Sequence, residues 1–207
     1  MKEVAYRVIA HYERHARAWD ADRNRHVQEW NDKPWHERFV AALPECGATV
    51  LDLGCGSGSP VAAFLAKRGC YVMGADSSPT LISLSRERLP AHEWLVADMR
   101  LLELRRKFDG IIAWDSFFHL APDDQRRMFG VFAKHAAPSA VLMFNTGPAD
   151  SEVVGSYRGD PLYHASLSPD EYTALLNIIG FEVVTHVAED WQTGGGRTAW
   201  LARTRAT

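Results

Sequence analysis

The sequence has little cysteine and no excess of basic charge, and both shortages narrow what it can be. Cys46, Cys55 and Cys70 are its only three cysteines in 207 residues. They form no C-x-x-C pair and are too few for a disulfide framework, so a reducing compartment without a structural metal is expected. Twenty-three Lys and Arg against 26 Asp and Glu leave a formal net charge of -3, which is no electrostatic footprint for a nucleic-acid backbone. Long apolar runs are missing too. The opening MKEVAYRVIAHYERHARAWD interrupts each apolar group with charge, so neither a signal-peptide core nor a membrane span is expected, and the location read from this is cytoplasmic. No repeat or low-complexity tract breaks the chain. Nothing marks an oligomeric state.

What is present suits one compact domain over residues 1–207, with 46% hydrophobic and 24% charged residues. Apolar positions at helical intervals over residues 1–42 predict two helices, Pro34 lying near the start of the second. Residues 43–146 then alternate between strand and helix patterns. Strands are expected at 49–53, 70–75, 93–97, 108–114 and 140–145, with helices over 61–68, 79–88 and 122–136. Ser59-Pro60 and Ser78-Pro79 each pair an N-cap hydroxyl with a proline at the first helical position. Successive βα units imply an α/β fold with a doubly wound parallel sheet. Residues 147–168 carry Gly, Pro, Ser and Tyr without a period and read as an irregular substrate-loop insertion. A helix over 169–179, a strand over 181–187, a turn at Gly194-Gly195-Gly196 and a strand over 197–203 complete the pattern.

The strongest chemical signal is Val50-Leu51-Asp52-Leu53-Gly54-Cys55-Gly56-Ser57-Gly58, between a strand and a helix. Glycines remove Cβ atoms, so the backbone can turn sharply and lie against a ligand while helix N-terminal amides face it. The same loop also suits a tight βα turn that holds nothing. Asp76 and Asp98 each follow a strand, and at the carboxyl ends of neighbouring parallel strands they point into one crevice. There one carboxylate can accept ribose hydroxyls and the other an exocyclic amine, which describes an adenosine site. A nicotinamide site shares these features, but its G-x-G-x-x-G/A pattern would put Ser59 at the third glycine and leaves Asp52 unexplained.

The D-x-G-x-G-x-G of Asp52 to Gly58, the acid Asp76, the V-A-D-M of Val96 to Met99 and a fourth strand ending in Trp114-Asp115 resemble class I S-adenosylmethionine-dependent methyltransferases. The resemblance runs from about residue 43 to residue 145, and the outer segments YERHARAWD and PLYHASLSPDEY resemble a bacterial branch of small methyltransferases. It implies a Rossmann-like seven-stranded sheet ordered 3-2-1-4-5-7-6, with strand 7 antiparallel, under an N-terminal helical lid. The implied cofactor is S-adenosylmethionine: Gly54 and Gly56 at the methionine part, Asp76 at the ribose, Asp98 and the Met99 backbone at the adenine. Asp52, Cys55, Ser77, Asp115 and Trp19 complete the implied cofactor-binding set.

Methyl transfer is an in-line displacement that gains chiefly from alignment in a dry site, and a base is needed only if the acceptor must lose a proton. Asp115-Ser116-Phe117-Phe118-His119 stands where amino-directed DNA methyltransferases carry D-P-P-Y, and the missing prolines speak against base methylation. His119 is the first candidate base, with Tyr163 and His164 of the insertion as further catalytic candidates beside Tyr157 and Arg158. Plainer roles stand next to these: Phe117 and Phe118 as core, His119 as a satisfied surface histidine, and insertion aromatics that only keep a long loop ordered. Tyr12, Trp19 and Trp35 suit either helix packing or contact with a sulfonium cation. Arg86, Arg88, Arg100, Arg105, Arg106 and Lys107 read as a solvated face. The function expected is methyl transfer to a small-molecule acceptor. The alternatives are a non-catalytic S-adenosylmethionine-binding module, and a protein or RNA methyltransferase that relies on a partner.

Overall fold

A computed structural model describes residues 2–25 and 29–205. Two helices come first, α1 (Lys2–Arg25) and α2 (Lys33–Ala42), the second with Pro34 in its first turn. The βα alternation follows as β1 (Thr49–Leu53), α3 (Val61–Lys67), β2 (Tyr71–Asp76), α4 (Pro79–Arg88), β3 (Glu93–Val96), β4 (Phe108–Ala113), α5 (Pro122–His135) and β5 (Ala136–Thr146). A two-stranded hairpin, β6 (Ser151–Tyr157) and β7 (Asp160–Ser166), precedes α6 (Pro169–Ile178), β8 (Phe181–Asp190) and β9 (Arg197–Thr204).

Seven strands form one sheet in the order β3-β2-β1-β4-β5-β9-β8, parallel from β3 to β5, with β9 antiparallel to both neighbours. That is the 3-2-1-4-5-7-6 arrangement expected, β9 and β8 standing seventh and sixth. Alternation along the strands divides the core between two faces. Leu51, Ile111, Leu142 and Phe144 pack with Phe129, Phe132 and Tyr172 of α5 and α6. Val50, Ile112, Val141 and Met143 pack with Trp35, Phe39 and Leu65 of α2 and α3. The chain order reverses between β1 and β4, where a crevice opens beyond the carboxyl ends of the strands. Helix α1, packed on α4 and β7, roofs it. Among the described residues no helix is long and apolar enough to cross a membrane.

Two expectations are corrected. Residues 147–168 are not irregular: β6 and β7 pair in register from Ser151–Ser166 to Tyr157–Asp160, because Arg158 (φ 51°) and Gly159 (φ 85°) make the two-residue left-handed turn that matches strand twist. Ser59 does not cap α3, since its hydroxyl donates to Asn24 Oδ1 at 2.6 Å instead. Ser78 does cap α4, its Oγ accepting from the Leu81 amide at 3.1 Å.

Candidate active site

The loop after β1 turns through Gly54 (φ 74°) and Gly56 (φ 56°), conformations that L side chains rarely adopt. Close packing adds a second reason for glycine. A Cβ on Gly54 would lie 2.3 Å from Ser116 Cβ, and one on Gly56 would lie 2.8 Å from the Trp19 ring. Asp76 closes β2 and grips this loop, Oδ2 accepting from the Gly56 amide at 2.9 Å and Oδ1 from the Ser78 amide at 2.8 Å. Burial raises the Asp76 carboxyl above the usual carboxylate range. Asp52 is buried, its Oδ2 has no partner, and burial with the nearby Asp76 charge pushes it up to about 7.

A cavity of about 760 Å³, open mouth included, lies against these groups, within the range of small-molecule sites. The loop, Asp76, Ser77, Asp98 and Met99 form one wall, Asp115 and His119 another, and Val8, Ile9, Tyr12 and Trp19 of α1 the roof. A smaller adjoining hollow shares Trp19, Gly54 and Asp115 and adds Arg23, Asp52 and Cys55. All ten residues read from the sequence as a cofactor set thus line one or other hollow. Trp35 does not; it is core, its Nε1 donating to Asp190 Oδ2 at 2.8 Å.

The acceptor-side candidates separate. His119 is buried rather than a surface histidine. Its Nδ1 lies 2.8 Å from the Tyr163 carbonyl oxygen and its Nε2 2.8 Å from the Tyr12 hydroxyl. A carbonyl can only accept, so Nδ1 carries the proton and Nε2 accepts from Tyr12. Burial drives the imidazole down to about 4 and the Tyr12 phenol well above its ordinary value. Tyr163 is displaced from the role expected of its side chain: its hydroxyl donates to Glu152 Oε2 at 2.6 Å, away from the cavity, and only its carbonyl reaches His119. His164 is likewise off the cavity wall, stacked on Phe118 and 4.8 Å from the His119 ring between centroids. In β7 the register sends Tyr163 and His164 to opposite faces.

Several side chains at the site carry no local sequence signal. Arg100, read as solvated, donates through Nε and Nη2 to Asp98, reaches Asp124 at 3.2 Å and stacks on Tyr6. Arg88, read likewise, donates two parallel hydrogen bonds to the Asp20 carboxylate of α1, at 2.6 Å each. Glu13 of α1 accepts from Ser78 Oγ at 2.5 Å and Thr80 Oγ1 at 2.7 Å, tying the roof to the start of α4. Asp115, expected among the cofactor groups, has its carboxylate engaged by Arg197 at 2.7 Å and Arg23 at 2.8 Å.

With this strand order and this glycine-loop crevice, residues 50–139 match the family described as methyltransferase domain. Among similar proteins, a magnesium-protoporphyrin O-methyltransferase of Rhodobacter capsulatus is 31% identical over 117 residues, 53% of this chain and 50% of that protein. A trans-aconitate 2-methyltransferase of Azoarcus sp. (strain BH72) is 33% identical over 106 residues, 50% of this chain and 41% of that protein. The chain therefore spans half or less of the length of these curated relatives. Among solved structures, the magnesium protoporphyrin IX methyltransferase of Synechocystis PCC 6803 with bound S-adenosylmethionine superposes with a TM-score of 0.71 at 18% identity, covering 98% of this chain and 97% of that one. That likeness is one of fold.

Proposed function

We propose that the protein transfers the methyl group of S-adenosylmethionine to a small-molecule acceptor. The observation that carries the proposal is one cavity in which a glycine-loop and carboxylate half meets the half-buried Tyr12 hydrogen-bonded to the buried His119. The residues fit the cofactor. Asp76 retains lone pairs for ribose hydroxyls, and the Met99 backbone stands beside Asp98 at the place for adenine. In the smaller hollow the Arg23 guanidinium and the partnerless Asp52 oxygen offer opposite charges, as an amino-acid end requires. Bound there, S-adenosylmethionine supplies a methyl group activated by a sulfonium cation. The chain's own part is to hold the acceptor in line, to exclude water under α1, and to handle a proton at Tyr12 and His119.

Calorimetry should show S-adenosylmethionine and S-adenosylhomocysteine binding at micromolar order, about -8 kcal/mol, and no response to NAD. The reverse pattern sinks the proposal. Asp76→Ala should weaken binding by about 1–3 kcal/mol, the scale of charge-assisted hydrogen bonds. Asp98→Ala should cost less, since its carboxylate is already held by Arg100. Wild-type affinity in both would mean that the ribose and adenine subsites lie elsewhere.

A pH series tests the amino-acid end. Asp52 is largely neutral below pH 7 and anionic above it, given its position near 7, and an ammonium prefers the anion. Cofactor affinity should therefore rise as pH rises through 7, and Asp52→Asn should flatten that rise. An unchanged pH profile in the variant would remove Asp52 from the site. Turnover to S-adenosylhomocysteine with a pool of small metabolites then separates an enzyme from a module that only binds.

A further inference from the structure

One helical turn apart on α1, His11 and His15 present their rings on the same face, and Asp160 at the head of β7 meets them. One potential ligand atom from each of the three lies within 4.8 Å of the others. His15 Nε2 is 2.8 Å from Asp160 Oδ2, which also accepts from Arg14 Nη1 at 2.8 Å. His11 is the unusual member. Only 5% exposed, it has an Nε2 with no hydrogen-bond partner, although a buried imidazole nitrogen stripped of water and left unpaired is unfavourable. The ring of Tyr157 flanks both histidines at 5.8 and 5.7 Å between centroids.

We propose that His11, His15 and Asp160 form a binding site for one divalent transition-metal ion of the Zn²⁺ type, which clips the β6–β7 hairpin to the roof helix. Two imidazoles and a carboxylate are the donor set that borderline-soft divalent cations favour, with a fourth position left for water. Bonds of about 2.0–2.1 Å place tetrahedral ligand atoms about 3.3 Å apart. Small side-chain rotations reach that spacing, drawing His11 inward and opening the His15–Asp160 contact. The ion gives the orphaned nitrogen of His11 the partner it lacks. It also departs from the expectation, drawn from sparse cysteine, that the chain carries no metal, since its donors are two histidines and an aspartate brought together from α1 and the hairpin.

The consequence reaches the cavity without touching it. Tyr12 adjoins His11 on α1, and the Tyr163 carbonyl that holds His119 lies on β7 three residues past Asp160. A bound ion thus fixes both halves of the Tyr12–His119 contact to one anchor, beside the Tyr157–Asp22 hydrogen bond of 2.8 Å that already joins hairpin and helix.

The test uses the full chain without a histidine tag, stripped by chelator and titrated with Co²⁺ and then Zn²⁺. One equivalent of Co²⁺ should give the visible absorption of a tetrahedral site, and Zn²⁺ should displace it. His11→Ala and His15→Ala should each weaken Zn²⁺ at least about 100-fold, and Asp160→Asn should weaken it as well. Zn²⁺ should slow amide exchange over residues 157–165 in the wild type only. His11→Leu guards against loss of folding: it removes the unpaired nitrogen while filling its space, so it should raise the melting temperature of the metal-free protein and abolish binding. Failure of the wild type to bind an equivalent of either ion overturns the proposal, and so does binding that survives unchanged in His11→Leu. In both cases the cluster is a hydrogen-bonded group and nothing more.

Discussion

Replacing His119 by alanine is expected to lower turnover about 100-fold or more while affinity for S-adenosylhomocysteine stays within a factor of a few. The expectation rests on where the protons are. Nδ1–H is committed to the Tyr163 carbonyl, so the lone pair of Nε2 orients the Tyr12 hydroxyl at the cavity wall. Burial holds the imidazole neutral, with its titration near 4, and keeps the Tyr12 phenol protonated. Neither group alone is a strong base. In the reaction proposed above the two would act as a relay: as the acceptor's N–H or O–H bond breaks, its proton would go to Tyr12 Oη and the Tyr12 proton to His119 Nε2. Tyr12→Phe removes the oxygen and keeps the ring, so it should match His119→Ala in kcat. The acid limb attributable to His119 should fall near pH 4, leaving turnover flat from about 5 to 8 as far as this group is concerned. His164→Ala, off the cavity wall, should cost less than about tenfold. If His119→Ala and Tyr12→Phe both turn over normally while Trp19→Ala is slow, the site works by alignment alone.

The parts of this protein that were legible in its sequence are those where local chemistry and global fold agree. Gly54 to Gly58 follow β1, Ser78-Pro79 opens α4, Asp76 ends β2 and Asp98 follows β3, so the sheet and the loop-and-carboxylate wall of the cavity could be read from the sequence. The hairpin hid because its turn, Arg158-Gly159, is not an Asn-Gly pair, and because β6 is exposed along nearly its whole length and so shows no alternation. Reading 147–168 as an irregular loop erased the register, and with it the knowledge that Tyr163 and His164 face opposite ways. Arg88 was read as solvated, and Arg23 and Arg197 were given no role, for a different reason. Arg23 meets Asp115 across 92 residues, Arg88 meets Asp20 across 68, and Arg197 meets Asp115 across 82. A partner that distant leaves no trace in the residues on either side, and a charged side chain then looks like any other on a wetted helix.

Asp115→Asn should show how much stability one of those distant meetings carries. The carboxylate takes a two-pronged bond from Arg197 Nε and Nη2, a third from Arg23 Nη1 and a fourth from Asn145 Nδ2 at 2.9 Å. It thereby joins α1, β4 and β9 at the mouth of the site. Asp115 sits at φ 51°, a left-handed conformation that asparagine tolerates well, so the variant removes charge without forcing the backbone. Two guanidiniums, each only about a fifth exposed, then lose the carboxylate they share, Arg197 keeping Asp32 at 3.7 Å as its remaining counter-charge. Breaking a buried pair costs about 3–5 kcal/mol, and partial exposure points to the lower end, about 3. For a chain of this size that is a fall of about 6–12 °C in melting temperature. The sign of the pH dependence follows from the same bonds. Arg197 and Arg23 hold the Asp115 carboxyl far below the ordinary carboxylate range, against burial. Its contribution is therefore complete above the unfolded value of about 3.9 and is lost as pH falls through the folded one. Wild type and Asp115→Asn should differ most near neutrality and converge progressively below about pH 4, and the Asp115→Asn and Arg197→Met changes should be strongly non-additive. Equal stability at pH 7, or a gap that widens in acid, would show that Asp115 lines the cavity without holding its walls together.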